Sequence, residues 1–153
     1  MTLDQDIGLF SRVPLFAGLA AEPLKLIAFS AIRLELAPGH TLFRAGTKAL
    51  SGFVVQEGRV ELTTPDGEGR QSLGVYGPGS LLGEMALFVE TRRPATATAI
   101  EQSAVIEIDR NLMKRMLAEY PDVAVHLYAQ LRAHLAETVG ELAAIHEALG
   151  RTA

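Results

Sequence analysis

The spacing of apolar and polar residues changes twice along this chain, and the changes divide it into three stretches. Up to about residue 31 the apolar positions fall three or four apart. Leu19, Leu24, Ile27 and Ala28 share one helix face, with Pro23 near the start of that helix. The preceding Val13-Pro14-Leu15-Phe16 reads as an irregular connector. From about 32 to 108 the period shortens to two. Ile32, Leu34 and Leu36 alternate with Arg33, Glu35 and Ala37, Val60 and Leu62 with Arg59 and Glu61, and Ala104, Ile106 and Ile108 repeat the pattern. Turn signals separate these runs at Pro38-Gly39, Ala45-Gly46, Glu57-Gly58, Pro65-Asp66-Gly67 and Gly77-Pro78-Gly79. Short strands at this spacing predict a β-sandwich, roll or barrel.

From about 109 to 150 the pattern is helical again. Asp109 is placed to N-cap a short helix carrying Leu112, Met113, Met116 and Leu117. Pro121 suits the first position of a second helix, with Asp122 near the positive end of its dipole. That helix runs without proline to Leu149, and Gly150 can stop it. At about 1.5 Å per residue it is roughly 40 Å long. Tyr128, Leu131, Leu135, Thr138, Leu142, Ile145 and Leu149 step by three and four along it, as in a heptad seam. Such a stripe either packs on its own domain or joins two copies. The helix is longer than one small roll can cover, so a homodimer through this helix is the expectation. The chain therefore reads as a single domain over 1–153: a helical segment at 1–31, a roll at 32–108 and C-terminal helices at 109–150.

Composition narrows the function classes. Hydrophobic residues at 48% and charged residues at 21% describe an ordered globular chain. Cysteine is absent, which removes disulfides, thiolate catalysis and cysteine-ligated zinc. A net charge of −4 argues against a broad basic nucleic-acid footprint, which works by displacing counterions from phosphates. The first residues lack a basic segment followed by an apolar one, and no apolar run approaches the roughly 20 residues that span a bilayer. No membrane association and a cytoplasmic location are expected.

Chemistry concentrates between Gly77 and Ala99. Gly83 allows close backbone approach or a positive φ. Glu84 to Leu87 can form one helical turn whose leading N–H groups face an anion. Arg93 follows, and its planar fork grips two oxygens of one phosphate. Ala95 and Ala97 leave room beside it. Taken alone, the same residues equally describe a turn with a surface Arg–Glu ion pair.

The full string is more specific. Gly83-Glu84-Met85-Ala86-Leu87, five residues, then Arg93-Pro94-Ala95-Thr96 resembles the phosphate-binding cassette of cyclic nucleotide-binding domains. That family includes the catabolite activator protein and the regulatory subunits of cyclic-AMP-dependent protein kinase. Val13-Pro14-Leu15-Phe16-Ala17-Gly18-Leu19 resembles its N-terminal signature. The stretches 36–43 and 54–62 resemble its early roll strands, so the likeness covers about residues 10 to 149. The resemblance implies an α+β fold: an antiparallel, jelly-roll-like β-roll (a double-stranded β-helix) flanked by N-terminal helices and a long C-terminal helix. It implies a cassette at 83–96. There, backbone N–H groups near Gly83, Met85 and Ala86 bind phosphate oxygens, Glu84 accepts from the ribose 2′-hydroxyl, Arg93 neutralises the phosphate, and the Ala95 N–H assists. Leu62, Leu73, Gly74 and Thr96 match positions lining the sugar and base. Thr138 falls where a hydroxyl touches the adenine edge, although it also fits as a small polar residue in a dimer seam.

Pro94 departs from the family pattern, which has Ser, Thr or Ala there with an N–H bound to phosphate. Proline has no N–H. A hydrogen bond to a charged group is worth roughly 1.5–3 kcal/mol, so losing it would weaken binding by an order of magnitude or more. The missing hydroxyl also disfavours cyclic GMP relative to cyclic AMP. The expected function is therefore a sensor of a cyclic nucleotide, cyclic AMP first, with no other cofactor. It would signal through its C-terminal helix to a downstream protein not identified by the sequence. The alternatives are a sensor of another cyclic mono- or dinucleotide, or a ligand-free domain serving as an interaction subunit.

A metalloenzyme of the cupin type is disfavoured, because His40 alone lies in the roll region while His126, His134 and His146 fall on the last helix as ordinary surface residues. His146-Glu147 opens like a zinc-protease motif, but position 150 is Gly. Ser80 sits in a Gly-Pro-Gly-Ser turn and not in a nucleophile elbow. No enzyme activity is expected and no metal. After Gly150 only Arg151-Thr152-Ala153 follow, so a DNA-recognition helix, and with it direct DNA binding, is not expected.

Overall fold

The structure, a computed structural model, describes residues 3–65 and 70–133. Helix α1 (Leu3–Ser11), a 3-10 turn at Pro14–Phe16 and α2 (Ala21–Ser30) precede ten short strands. The strands form an antiparallel roll. One sheet runs β1 (Ile32–Leu36), β10 (Ser103–Asp109), β4 (Ser51–Glu57), β7 (Leu81–Leu82). The second runs β2 (Thr41–Phe43), β9 (Thr96–Ala99), β5 (Val60–Thr63), β6 (Ser72–Tyr76). A two-stranded ladder pairs β3 (Lys48–Ala49) with β8 (Thr91–Arg92). Helix α3 (Arg110–Glu119) follows, and residues 121–133 form α4. This is the α+β roll that the sequence resemblance implied.

Two apolar clusters explain why the roll closes. One lies inside it and is built from Leu36, Phe53, Val55, Val60, Ala97, Ala99 and Val105. The other joins the helices to the outer face of the first sheet through Val54, Ile106 and Ile108. Strands β4 and β10 therefore face apolar surroundings on both sides. The alternation expected for Ala104, Ile106 and Ile108 is incomplete for this reason: Val105 between them is fully buried too. A strand covered on both faces carries a continuous apolar run. Ile32, at the start of edge strand β1, is 56% exposed even though it shares the face of Leu34 and Leu36.

The segment expected to be an irregular connector is instead part of the core. Val13, Leu15 and Phe16 are buried, and Phe16 meets Phe10 edge to face at 6.3 Å. In α2, Leu24 and Ile27 are buried and Ala28 partly so, as the helical spacing predicted, but Leu19 lies before the helix begins at Ala21 and packs on the same cluster from the preceding turn.

Asp109 caps α3 as expected, accepting from the Leu112 N–H at 2.7 Å. Helix α4 docks on the domain through Val123 and Leu127. His126 reinforces the dock, with Nε2 2.8 Å from the Ala17 carbonyl oxygen. It was expected to be an ordinary surface residue, and the contact was invisible because its partner is 109 residues away. Tyr128, which begins the heptad stripe, is exposed. The rest of the stripe from Leu135, together with Thr138, His134, His146 and Gly150, lies outside the described residues, as does most of the turn after Pro65.

Candidate ligand-binding site

Strand β7 runs into Gly83, whose φ of 80° and ψ of 37° lie in the left-handed region that glycine tolerates best. A 3-10 turn over Glu84–Leu87 follows. Its apolar side anchors it, because Ala86 and Leu87 are both buried. Arg110, the first residue of α3, ties the turn down further. Its guanidinium donates to the carbonyl oxygens of Ala86 (3.0 Å), Ala49 (3.0 Å) and Val89 (2.8 Å).

The chain then returns through β8. The main chain of Arg93 is held by two hydrogen bonds, its N–H to the Thr47 oxygen and its oxygen from the Gly46 N–H, both at 2.8 Å. Strand β9 then enters the second sheet between β2 and β5, placing Ala97 opposite Leu62. This return is what brings Arg93 back to Gly83.

The Arg93 side chain turns inward and is only 6% exposed. Nη2 donates to the Ser51 carbonyl at 2.7 Å. The guanidinium lies 4.3 Å from the Phe43 ring centroid and 5.4 Å from that of Phe53. The two rings stack at 5.8 Å. Nη1 is buried with no hydrogen-bond partner among the described residues. A Cβ on Gly83 would run into that same Nη1 atom, so the bare glycine backbone is what leaves room for the guanidinium. Burial lowers the Arg93 pKa from its ordinary value, and the Glu107 carboxylate works in the opposite direction. A desolvated cation with an unused donor can accept an anion as its partner.

The remaining candidates are placed as follows. Glu84 is half-buried at the start of the turn. It lines a cleft of about 570 Å³ that also touches Arg12, Tyr76, Ser80 and, on α4, Gln130. Arg93 does not line this cleft, so Glu84 and Arg93 are not joined by it. Met85 is exposed, and the Ala86 N–H is taken up within the turn by the Gly83 carbonyl at 3.1 Å. Pro94 is exposed, whereas Ala95 is buried. The Thr96 hydroxyl accepts from the Ala45 N–H at 3.0 Å. Leu62 packs on the roll core with Gly74 opposite it in β6, and Leu73 is 53% exposed. Thr138 lies outside the described residues.

Phe43, Ser51, Phe53, Glu107 and Arg110 escaped the sequence reading. Each reaches the cassette by folding and not by spacing: Ser51 is 42 residues from Arg93 and Arg110 is 61 from Ala49. Phe43 alone carried a signal, as an aromatic closing a strand of the roll region. Among the described residues no three potential metal ligands come together, and no helix is long and apolar enough to cross a membrane.

Known proteins share the sequence pattern and the fold. Residues 33–120 match the model of the cyclic nucleotide-binding domain. The chain is 36% identical over 131 residues to the cyclic AMP receptor protein of Thermus thermophilus, a match covering 84% of this chain and 60% of that one. It is 32% identical to the N-terminal domain of a transcriptional regulator from Streptomyces coelicolor, with a TM-score of 0.80 over 88% of this chain and 94% of that one. A cyclic nucleotide-binding-like protein from Brucella abortus is 39% identical, with a TM-score of 0.69 over 75% of this chain and 99% of that one. The chain spans about three fifths of the length of the first curated relatives it matches.

Proposed function

The chain belongs to the cyclic nucleotide-binding domain family, and from that premise we propose that it is a non-enzymatic sensor of a cyclic mononucleotide, cyclic AMP first. Arg93 binds the cyclic phosphate with the nitrogen it leaves unused. Main-chain amides around Gly83, Met85 and Ala95 share that charge. The Ala86 amide joins them only if it leaves the Gly83 carbonyl. Glu84 accepts from the ribose 2′-hydroxyl. Leu62 and Gly74, with Leu73 and Thr96 at the margin, border the sugar and base, and Thr138 reaches the base from the C-terminal helix.

One observation carries the reading: Arg93 Nη1 is buried against Gly83 with no hydrogen-bond partner among the described residues. A donor left in that condition costs about 1–3 kcal/mol in the empty protein. An anion that meets it recovers that cost, so the site is built to be filled. Pro94 supplies no N–H, which leaves Arg93 a larger share of the phosphate interaction.

The signal passes from the cassette to the helices. Arg110 bonds the cassette turn through Ala86 and Val89 and also begins α3. A ligand that shifts the turn therefore shifts the start of α3, to the extent that it binds one arrangement better than the other. A downstream protein, or a second copy docked through the C-terminal helix, reads that shift. Isothermal calorimetry against cyclic AMP, GMP, CMP and UMP tests the proposal. Cyclic AMP is expected to bind tightest, and no heat with any of the four overturns the reading.

A further inference from the structure

A carboxylate faces the inside of the roll at the cassette and has no role in the site as described so far. Glu107 follows Val105 by two residues in β10, and Val105 belongs to the roll's interior cluster. Successive side chains of a strand alternate, so Glu107 points to the same interior. It pairs across the ladder with Phe53, one of the two rings against which the Arg93 guanidinium rests. The Ser51 hydroxyl donates to Glu107 Oε2 at 2.7 Å, while the Ser51 carbonyl accepts from Arg93 Nη2 at 2.7 Å. One residue thus links the site's cation to a fixed anion.

From this geometry we infer that Glu107 selects ligands by charge, admitting a phosphodiester with one negative charge and rejecting a phosphomonoester with two. The inference rests on the sensor reading above. Among the described residues Arg93 is the one buried cation, and Glu107 is the carboxylate that Ser51 links to it. A cyclic phosphate carries a single charge and is matched by Arg93. A 5′-phosphomonoester near pH 8 carries about two. Its second charge has no second buried cation among the described residues to match it, and it meets Glu107 in a partly desolvated interior, where like charges repel more strongly than in water. The product of cyclic-nucleotide hydrolysis is such a phosphomonoester, so the sensor would be cleared of its own spent signal.

The test compares the parent with Glu107→Gln and Glu107→Asp by calorimetry at pH 8. The ligands are cyclic AMP, 5′-AMP and the methyl ester of 5′-AMP, which is open like 5′-AMP but singly charged. In Glu107→Gln, 5′-AMP is expected to gain about tenfold more affinity than either singly charged ligand, the order expected of one unit charge in such an interior. Glu107→Asp keeps the charge and is expected to keep the discrimination. If Glu107→Gln leaves the ratio of 5′-AMP to methyl ester unchanged, or if Glu107→Asp behaves like Glu107→Gln, charge selection by Glu107 is wrong while the sensor reading stands. If the parent fails to bind cyclic AMP at all, the sensor reading fails and the inference goes with it.

Discussion

Methionine at position 93 would fill the space along Phe43 and Phe53 that the arginine stem occupies, without its charge. The substitution removes the hydrogen bond from Nη2 to the Ser51 carbonyl at 2.7 Å, worth about 1.5–3 kcal/mol for a charged donor. It also removes the guanidinium from the face of Phe43, worth about 0.5–2 kcal/mol. Against these losses stand two gains. The unpartnered, desolvated Nη1 disappears, saving about 1–3 kcal/mol. A thioether against the rings returns about 0.3–1.5 kcal/mol. The terms offset, so the ligand-free Arg93→Met protein should lie within about 2 kcal/mol of the parent. Binding behaves differently. Cyclic AMP at 100 times its Kd should add about 2.7 kcal/mol to the parent. For a domain of this size that raises Tm by roughly 5–10 °C. Arg93→Met should show no such rise. Thermal and urea melts with and without ligand measure both quantities. A ligand-free loss above about 3 kcal/mol would mean that the guanidinium is a structural strut, and a retained ligand shift would mean that the phosphate sits elsewhere.

Gly83→Ala forces a side chain into a left-handed φ, at about 1–2 kcal/mol, and drives its Cβ into Arg93 Nη1. Cyclic AMP affinity should fall at least tenfold in calorimetry, and unchanged affinity would separate Gly83 from the phosphate. Glu84→Ala should weaken cyclic AMP several-fold yet hardly change the binding of 2′-deoxy cyclic AMP; equal losses for both would remove the ribose contact. Asp109→Ala deletes the α3 cap and should cost about 1 kcal/mol in urea denaturation. Because Arg110 beside it holds the cassette turn, this variant should also loosen ligand binding slightly, and a stability loss below about 0.3 kcal/mol would show that the cap is idle.

Much of this protein is written in its local order of residues. The switch from helical to two-residue spacing near residue 32 coincides with the end of α2, and Asp109 begins α3 where a capping aspartate belongs. These features depend on neighbours a few residues apart, which periodicity and capping report directly. The resemblance of Gly83 through Thr96 to a phosphate-binding cassette was visible for the same reason, since it is one continuous string. The Val13–Phe16 segment misled, because a proline-containing stretch reads as a connector until Phe10 and the outer face of the first sheet are seen to cover it.

What surrounds Arg93 was settled only by the tertiary fold. Phe43, Phe53, Ser51 and Glu107 come from three strands, and nothing in their spacing says that they meet. Sheet pairing brings them together: β10 lies beside β4, and β9 beside β2. Side-chain alternation then turns Val105 and Glu107 to the same interior. A chain read along its length can display a phosphate-binding arginine. Whether that arginine is solvated on a surface, or desolvated over two rings with one nitrogen unused and an anion two bonds away, depends on contacts between residues some 40 to 60 positions apart.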